Sequence, residues 1–477
     1  MAEGKQGWTA LLMLICVCIT VGTVIPIGYA FGVMNAPSAF IRLWIMESAL
    51  ARYSSLLGDS QMTILMSAVV SIFLVGGMLG APFAPIFSAR LGRRGILILS
   101  GLLILVSCIC QLFCRLANSI EMLLLGRLIG GFSAALIYAT QPMYLVELAP
   151  AELSGSVGVF TCIGITGGIV LGQIVSFDFV LGTEKLWPYA LAFSGVFVII
   201  GLSPIFWFPE SPRFLMSQGK REKARITLLR LRRDEERVKA EMAEFEGSAE
   251  AGGQKVTTKD VLCNSKLKMP LIIVSSFHFV QQMSGINAIW FYSVDIFTRS
   301  GFTITVALWL NFALGFQNFI VALFGPLMMR RVNRRLMMML SCLFCAIFLT
   351  LLVVGLKLMV SMREFSYACI AFLALYILAF NVGLGAIPYF IGSEIFEPAP
   401  RPSAMAFGSF FNWLANFLLG MIFPILNSAI GPYAFLFCAA FCVYGLLLTC
   451  RYLPETRNRE PKDVAPLMEN GFRSKIK

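Results

Sequence analysis

Twelve apolar runs, each long enough to cross a bilayer, constrain this 477-residue chain more than any other feature. They fall near residues 11–31, 62–82, 96–114, 122–145, 155–177 and 188–208, and again near 269–293, 303–329, 336–358, 366–392, 403–427 and 432–453. About 20 apolar residues in a helix span the hydrocarbon layer, and lipid admits only helices or closed barrels, because no water is present to satisfy backbone N–H and C=O groups. The expected fold class is therefore an all-α membrane protein with twelve transmembrane helices in two six-helix halves. The expected boundaries are 1–208 for the first half, 209–268 for a cytoplasmic linker, 269–453 for the second half and 454–477 for a cytoplasmic tail. Six runs, a polar interval and six more imply two related halves around a central cavity.

Composition agrees. With 58% hydrophobic and 13% charged residues, too little polar surface exists to coat a soluble globule. The net charge of +12 gathers in short clusters between runs, at Arg90, Arg93 and Arg94, at Arg330, Arg331, Arg334 and Arg335, in the interval Arg213 to Lys268 and in the tail. Such clusters face the cytoplasm, where they meet anionic lipid, so they predict orientation and not a nucleic-acid partner. An even number of spans then puts both termini inside. No cleaved leader is expected, since Leu11 to Phe31 is long enough to span and no small-residue cleavage pattern follows it. The thirteen cysteines lie mostly within apolar runs and read as small buried hydrophobes, and a single histidine leaves no His-based metal site, so neither metal nor cofactor is expected. No loop holds a nucleophile, base and acid together, which argues against an enzyme.

One run differs from the rest. Phe277 to Ser293, FHFVQQMSGINAIWFYS, carries His278, Gln281, Gln282 and Asn287 inside an apolar segment, with Ser284-Gly285 able to relax the backbone. Neutral amides offer donors and acceptors without charge, which suits an uncharged polyhydroxyl ligand; they also suit helix-to-helix bonding in a membrane bundle, and the segment alone leaves both readings open. In the linker, Lys220 to Phe245 mixes Leu228, Leu229, Leu231, Val238, Met242 and Phe245 with paired charges, predicting short amphipathic helices, while Glu246 to Gln254 reads equally as helix or solvated linker.

Taken in order, the short motifs resemble those of the animal facilitative hexose transporters, in the sugar-porter branch of the major facilitator superfamily. These are GYAFGVMNAP at Gly28–Pro37, LGRR at Leu91–Arg94, the segment Gly126–Pro150, PESPR at Pro209–Arg213 and QQMSGINA at Gln281–Ala288. GAIPYFIGSEIF, RPSA, NWLANF and PETR follow from Gly385, Arg401, Asn412 and Pro454. The resemblance implies that hexose hydroxyls meet Gln281, Gln282, Asn287, Asn318 and Asn412, with Tyr389 at an aromatic gate beside Gly383, Gly385 and Pro388. It implies further that Arg93, Arg127, Glu147, Arg334, Arg335, Glu394 and Arg401 pair across the two halves when the cytoplasmic side closes, with Glu210 and Glu455 as acids of that network. Each such pair, partly wet, would contribute about 1 kcal/mol or less.

Several positions depart from the family pattern. Ala89, Ser154 and Arg330 stand where relatives carry charges of the latch, which predicts a less favoured outward-open state. At the substrate positions, Cys162 replaces a glutamine, Asn381 an acid and Tyr389 a tryptophan, while His278, Phe279 and Val280 replace a Gln-Leu-Ser associated with glucose preference; Ile289 is of the type found in fructose-accepting members. His278 reads as a packing residue or a proton switch, and Pro388 as a static kink or a cavity-lining break. The expected activity is a hexose uniporter for glucose or fructose, working as a monomer in the plasma membrane. The first rival is a proton-coupled symporter using Glu147 or Asp295, against which Ala30 stands where coupled relatives carry Asp; the second is a sugar sensor that has kept the fold without turnover.

Overall fold

A computed structural model describes residues 8–54, 57–150, 153–232, 234–251, 258–299, 301–359, 361–362, 364–397, 400–457, 459, 461–469 and 471. Among them the chain is helical, without strands. The helices run α1 Ala10–Gly32, α2 Ser38–Tyr53, α3 Asp59–Gly80, α4 Phe83–Phe113, α5 Ile120–Leu148, α6 Ser154–Val175 and α7 Trp187–Trp207. The linker holds α8 Pro212–Ser217, α9 Arg221–Arg232, α10 Glu235–Ala251 and α11 Thr258–Cys263. Then follow α12 Lys268–Met283, α13 Ile286–Arg299, α14 Ile304–Arg331, α15 Arg334–Leu358, α16 Phe365–Val382, α17 Ile387–Ile395, α18 Arg401–Ile430 and α19 Ala434–Tyr452.

Among the described residues, ten stretches are long and apolar enough to cross a membrane. One of them, Ser403–Tyr452, is two spans joined by a turn at Gly431. A further span is the broken pair α12–α13, whose pieces of 16 and 14 residues are each too short to count alone. The total is the twelve expected from the apolar runs.

The chain divides into two compact units, Met1–Val33 with Gly76–Val175 and Leu181–Lys255, and Met34–Val75 with Ser176–Val180 and Val256–Lys477. In the first unit, small residues set the spacing of helices, as they do where lipid supplies no hydrophobic drive between spans. A Cβ at Gly168 of α6 would come 2.9 Å from Tyr29 N of α1, and one at Gly28 of α1 would come 2.8 Å from Ile165 C of α6. Tyr29 is fully buried there and donates its hydroxyl to Ala190 O at 2.5 Å. Ser107 Oγ donates to Gly126 O at 2.6 Å and Ser133 Oγ to Ser100 O at 2.8 Å, tying α4 to α5.

Three elements differ from the sequence expectation. The LGRR segment is a single-residue kink and not an extended loop: α4 is two helices that meet at Gly92, whose φ of 78° and ψ of 176° a side-chain-bearing residue would adopt at a cost, and the second of them starts at Arg93. Helix α2 was not expected, although Ile41, Trp44, Ile45, Ser48 and Ala49 are its buried face at helical spacing. The tail is docked in part, since Val464 and Met468 are buried and Lys266 Nζ lies 3.2 Å from Glu469 Oε2. The linker forms amphipathic helices that share a small core of Leu215, Ala224, Leu228, Val238 and Met242, and α10 reaches Ala251; residues 252–257 lie outside the described ones.

Replacing Gly168 by Val forces side-chain atoms against the α1 backbone, which has no rotamer to yield. The expected loss is about 3 kcal/mol or more, read as a fall in detergent melting temperature well beyond that of Gly158→Val, where nothing lies within 4 Å.

Candidate functional site

Two breaks in otherwise apolar helices organise the polar interior of the second unit. The first separates α12 from α13 at Ser284-Gly285, with Gly285 at φ 97°, where a side chain is strained and its Cβ would press on Cys438 Sγ at 3.0 Å. The second separates α16 from α17 over residues 383–386, ahead of Pro388. Ser341 of α15 answers this break from one side, its hydroxyl donating to Ala379 O at 2.7 Å and accepting from Leu384 N at 3.0 Å. Gln281 answers it from another, donating to Leu384 O at 2.8 Å and Gly385 O at 3.1 Å.

The amides are linked in one direction. Asn287 Nδ2 donates to Gln282 Oε1 at 2.5 Å, Gln282 Nε2 to Asn412 Oδ1 at 3.1 Å, and Asn412 Nδ2 to Gln281 Oε1 at 2.8 Å. Asn381 Nδ2 donates to Asn318 Oδ1 and Ile377 O, both at 2.8 Å. His278 is buried with Nδ1 3.3 Å from Asn412 Nδ2, its Nε2 has no hydrogen-bond partner, and Tyr389 stands edge-on with ring centroids 5.6 Å apart. Gln281, Gln282, His278, Asn287 and Asn412 thus form one network, Asn318 and Asn381 a second pair, and Tyr389 is half-exposed beside the first. No carboxylate takes part in these bonds. Cys162 belongs to the first unit, exposed on α6 next to Thr161, whose hydroxyl donates to the buried Gln141 at 2.8 Å.

The charged residues build two corners with the same plan. In the first unit Arg93 grips Glu147 with Nε and Nη2 at 3.0 Å each, Ser211 Oγ bonds the same carboxylate, and Glu210 accepts from the backbone amides of Arg93 at 3.0 Å and Arg94 at 3.1 Å. In the second, Arg334 lies 3.3 Å from Glu394, Thr456 Oγ1 donates to Glu394 at 2.5 Å, and Glu455 accepts from the amides of Arg334 at 3.0 Å and Arg335 at 3.2 Å. Each corner is a carboxylate capping an uncovered helix start and an Arg–Glu pair above it. The pairs are drier than expected, with Arg93 and Glu147 at 17% and 9% exposure and Arg334 and Glu394 at 17% and 22%. Arg401 donates to Phe396 O at the end of α17, and Arg127 is buried within α5. Of the latch departures, Ala89 O accepts from Gln218 at 3.5 Å, while the side chains of Ser154 and Arg330, and that of Asp295, the coupling acid of the rival reading, lie outside what the structure describes.

Several residues escaped the sequence reading. Asn35 donates to Trp290 O at 3.1 Å and to Ser293 Oγ at 2.7 Å, and Ser293 donates to Asn311 at 2.7 Å, all three buried. Arg232 caps the end of α5 through Leu148 O at 2.8 Å and Ala149 O at 3.0 Å while pairing with Glu241. A polar residue just after an apolar run was the available signal for Asn35, and one inside a run for Asn311; Arg232 was one of three arginines in four residues and carried none.

An uncharged amide network in a broken-helix bundle, with ion-pair corners at helix starts, defines a membrane carrier of a neutral polar solute. The model of the family described as sugar (and other) transporter matches residues 15–467. The chain is 33% identical over 476 residues to the Mus musculus solute carrier family 2, facilitated glucose transporter member 3, covering 98% of this chain and 96% of that protein, and 32% identical to its Homo sapiens counterpart, covering 98% and 94%. Among solved structures, the xylose transporter of E. coli in a partially occluded inward open conformation overlays with a TM-score of 0.79 at 22% identity, covering 94% of this chain and all of the other. A structure entitled as a proton:xylose symporter bound to 6-bromo-6-deoxy-D-glucose gives 0.76 at 22%. These likenesses show the major facilitator fold. The chain belongs to the sugar transporter family.

Burial raises the Glu210 carboxyl above its ordinary value, against the pull of the amides of Ser211, Arg94 and Arg93. The folded chain therefore holds this proton more tightly than the unfolded one, and the group's contribution to stability is largest at low pH and falls as pH rises through the raised value. Glu210→Gln is expected to flatten that part of a melting-temperature profile against pH, and Glu210→Ala to lose about 1 to 2 kcal/mol of cap at every pH.

Proposed function

We propose that this chain is a facilitative hexose uniporter, passing glucose or fructose down its gradient by alternating access. The observation that carries the reading is the amide network: donors and acceptors in surplus, no net charge, set at two helix breaks inside spans. Hydroxyls of a pyranose match such groups without the desolvation penalty that a charged ligand would bring. The names of the relatives at about a third identity agree.

Uniport is favoured over proton coupling because a coupling group is an ionisable side chain that changes partner during the cycle. No acid occurs from Leu11 to Phe40, and Glu147 is engaged by Arg93 and Ser211 as part of a helix-start corner. The corners are proposed to act as a latch that biases the carrier between states, not as a substrate site. The protein is placed in the plasma membrane with both termini cytoplasmic, as a monomer surrounded by lipid, and without enzymatic activity; the basic clusters support that orientation.

Purified protein in proteoliposomes tests the whole reading. Saturable equilibration of radiolabelled glucose or fructose, unchanged by an imposed pH gradient, is expected; accumulation that collapses with an uncoupler would install the symporter, and retained sugar binding without flux would install the sensor. The substitutions in the site also make a prediction about preference. Restoring one amide with Cys162→Gln is expected to lower KM for glucose about fivefold, equivalent to about 1 kcal/mol, with a smaller effect on fructose, as read from competitive uptake of the two sugars.

A further inference from the structure

An amide of the first unit is held by one end only. Gln141 of α5 is fully buried, its Oε1 accepts from Thr161 Oγ1 of α6 at 2.8 Å, and its Nε2 has no hydrogen-bond partner. A buried amide hydrogen left unbonded is costly, most of all in a span, where lipid offers no acceptor. A glutamine in a span can avoid that cost locally: Gln111 of α4, also buried, turns its Nε2 back to Ser107, with O at 3.3 Å and Oγ at 2.8 Å. Thr140 Oγ1, beside Gln141, is unbonded too, but a hydroxyl needs only to rotate to reach a carbonyl one turn back. Gln141 is fixed by its oxygen, so what it has to offer is its two hydrogens.

The neighbours on both helices suit a binding place. Pro142, the next residue of α5, has no N–H, so the helix lacks a bond there and bends more easily. Cys162, the residue after Thr161, is exposed where Gln141 is covered. Both α5 and α6 lie in the first unit, so the pair is a feature of that unit alone.

We infer that Gln141 is a sugar-binding residue: Thr161 holds its oxygen, and its amide hydrogens meet a hydroxyl oxygen of the hexose. This rests on the sugar-transport reading. Nε2 is covered in this structure, so the bond to sugar forms as the α5–α6 pair shifts at Pro142. A donor unbonded in one state and answered in another gives the sugar unequal affinity for the two, which is the condition for a ligand to shift a carrier between them.

Purified full-length protein tests this through glucose affinity at equilibrium and the melting temperature without ligand. Gln141→Met keeps the volume and removes the amide, and Thr161 Oγ1 can then turn to the carbonyl of Val157, one turn back in α6. Affinity is expected to fall about fivefold to tenfold with the ligand-free melting temperature unchanged or raised, because an unbonded buried donor has gone. Thr161→Val keeps the donors but releases the oxygen, and should weaken affinity about threefold. Gln111→Met, the control, loses bonds made inside α4 and should melt lower at unchanged affinity. Donation also has a signature in the sugar, since fluorine accepts weakly and hydrogen not at all. At one position of a deoxy and fluorodeoxy glucose series the fluoro sugar should bind wild type better than the deoxy sugar, and Gln141→Met should erase that difference. Unchanged affinity in Gln141→Met, or weakened affinity with a melting temperature lowered as in Gln111→Met, would overturn the inference. Wild type that binds neither glucose nor fructose sinks the sugar-transport reading instead.

Discussion

Every backbone amide and carbonyl inside a membrane span must find a partner in the protein, because lipid offers none. An unbroken helix meets that condition by itself and is therefore rigid and chemically mute. The second unit gives up the condition at two places, Ser284-Gly285 and residues 383–386, and recovers it with side chains from other helices: Ser341, Gln281 and Tyr376. Polarity in this interior is first of all the answer to broken helices. The same groups, once gathered, are the ones that a neutral polyhydroxyl solute would use.

Charge is handled by a different device, at helix starts. A helix start presents free N–H groups and a partial positive charge, so a carboxylate is the natural cap. Glu210 fills this place over Arg93 and Arg94, and Glu455 fills it over Arg334 and Arg335. Glu147 and Glu394 then take the arginine side chains, each steadied by a hydroxyl from the residue following the capping acid, Ser211 and Thr456. The plan recurs because the two halves repeat one pattern, PESPR and PETR supplying acid and hydroxyl in adjacent positions. Low exposure makes these pairs costly to break on one side, since an unpartnered charge would remain where water is scarce.

Packing of the first unit follows from small residues. Glycines at one-turn spacing in α1 and α6 let backbones approach within van der Waals contact, and serines of α4 and α5 bond to carbonyls of the facing helix. Close backbones leave little room for compensation, so a bulky residue is felt directly, while lipid-facing positions such as Leu102 and Ile109 stay free of such constraint at more than half exposure.

Most of the fold could be read from the chain. Span count and the places of the amides follow from hydropathy and from the expense of polar groups in lipid, which act residue by residue along the sequence. The kink of α4 at Gly92 and the existence of α2 were also written there, in one permissive glycine and in the spacing of Ile41, Trp44, Ile45 and Ala49, yet polar residues nearby masked them. What the sequence could not decide was who bonds whom. Gln281 and Gln282 are adjacent, identical in type and equally polar, and only the position of the α16–α17 break assigns one to two orphaned carbonyls and leaves the other with a hydrogen to spare. Hydrogen bonds depend on distance and direction between groups about a hundred residues apart, and those quantities exist only once the helices have packed.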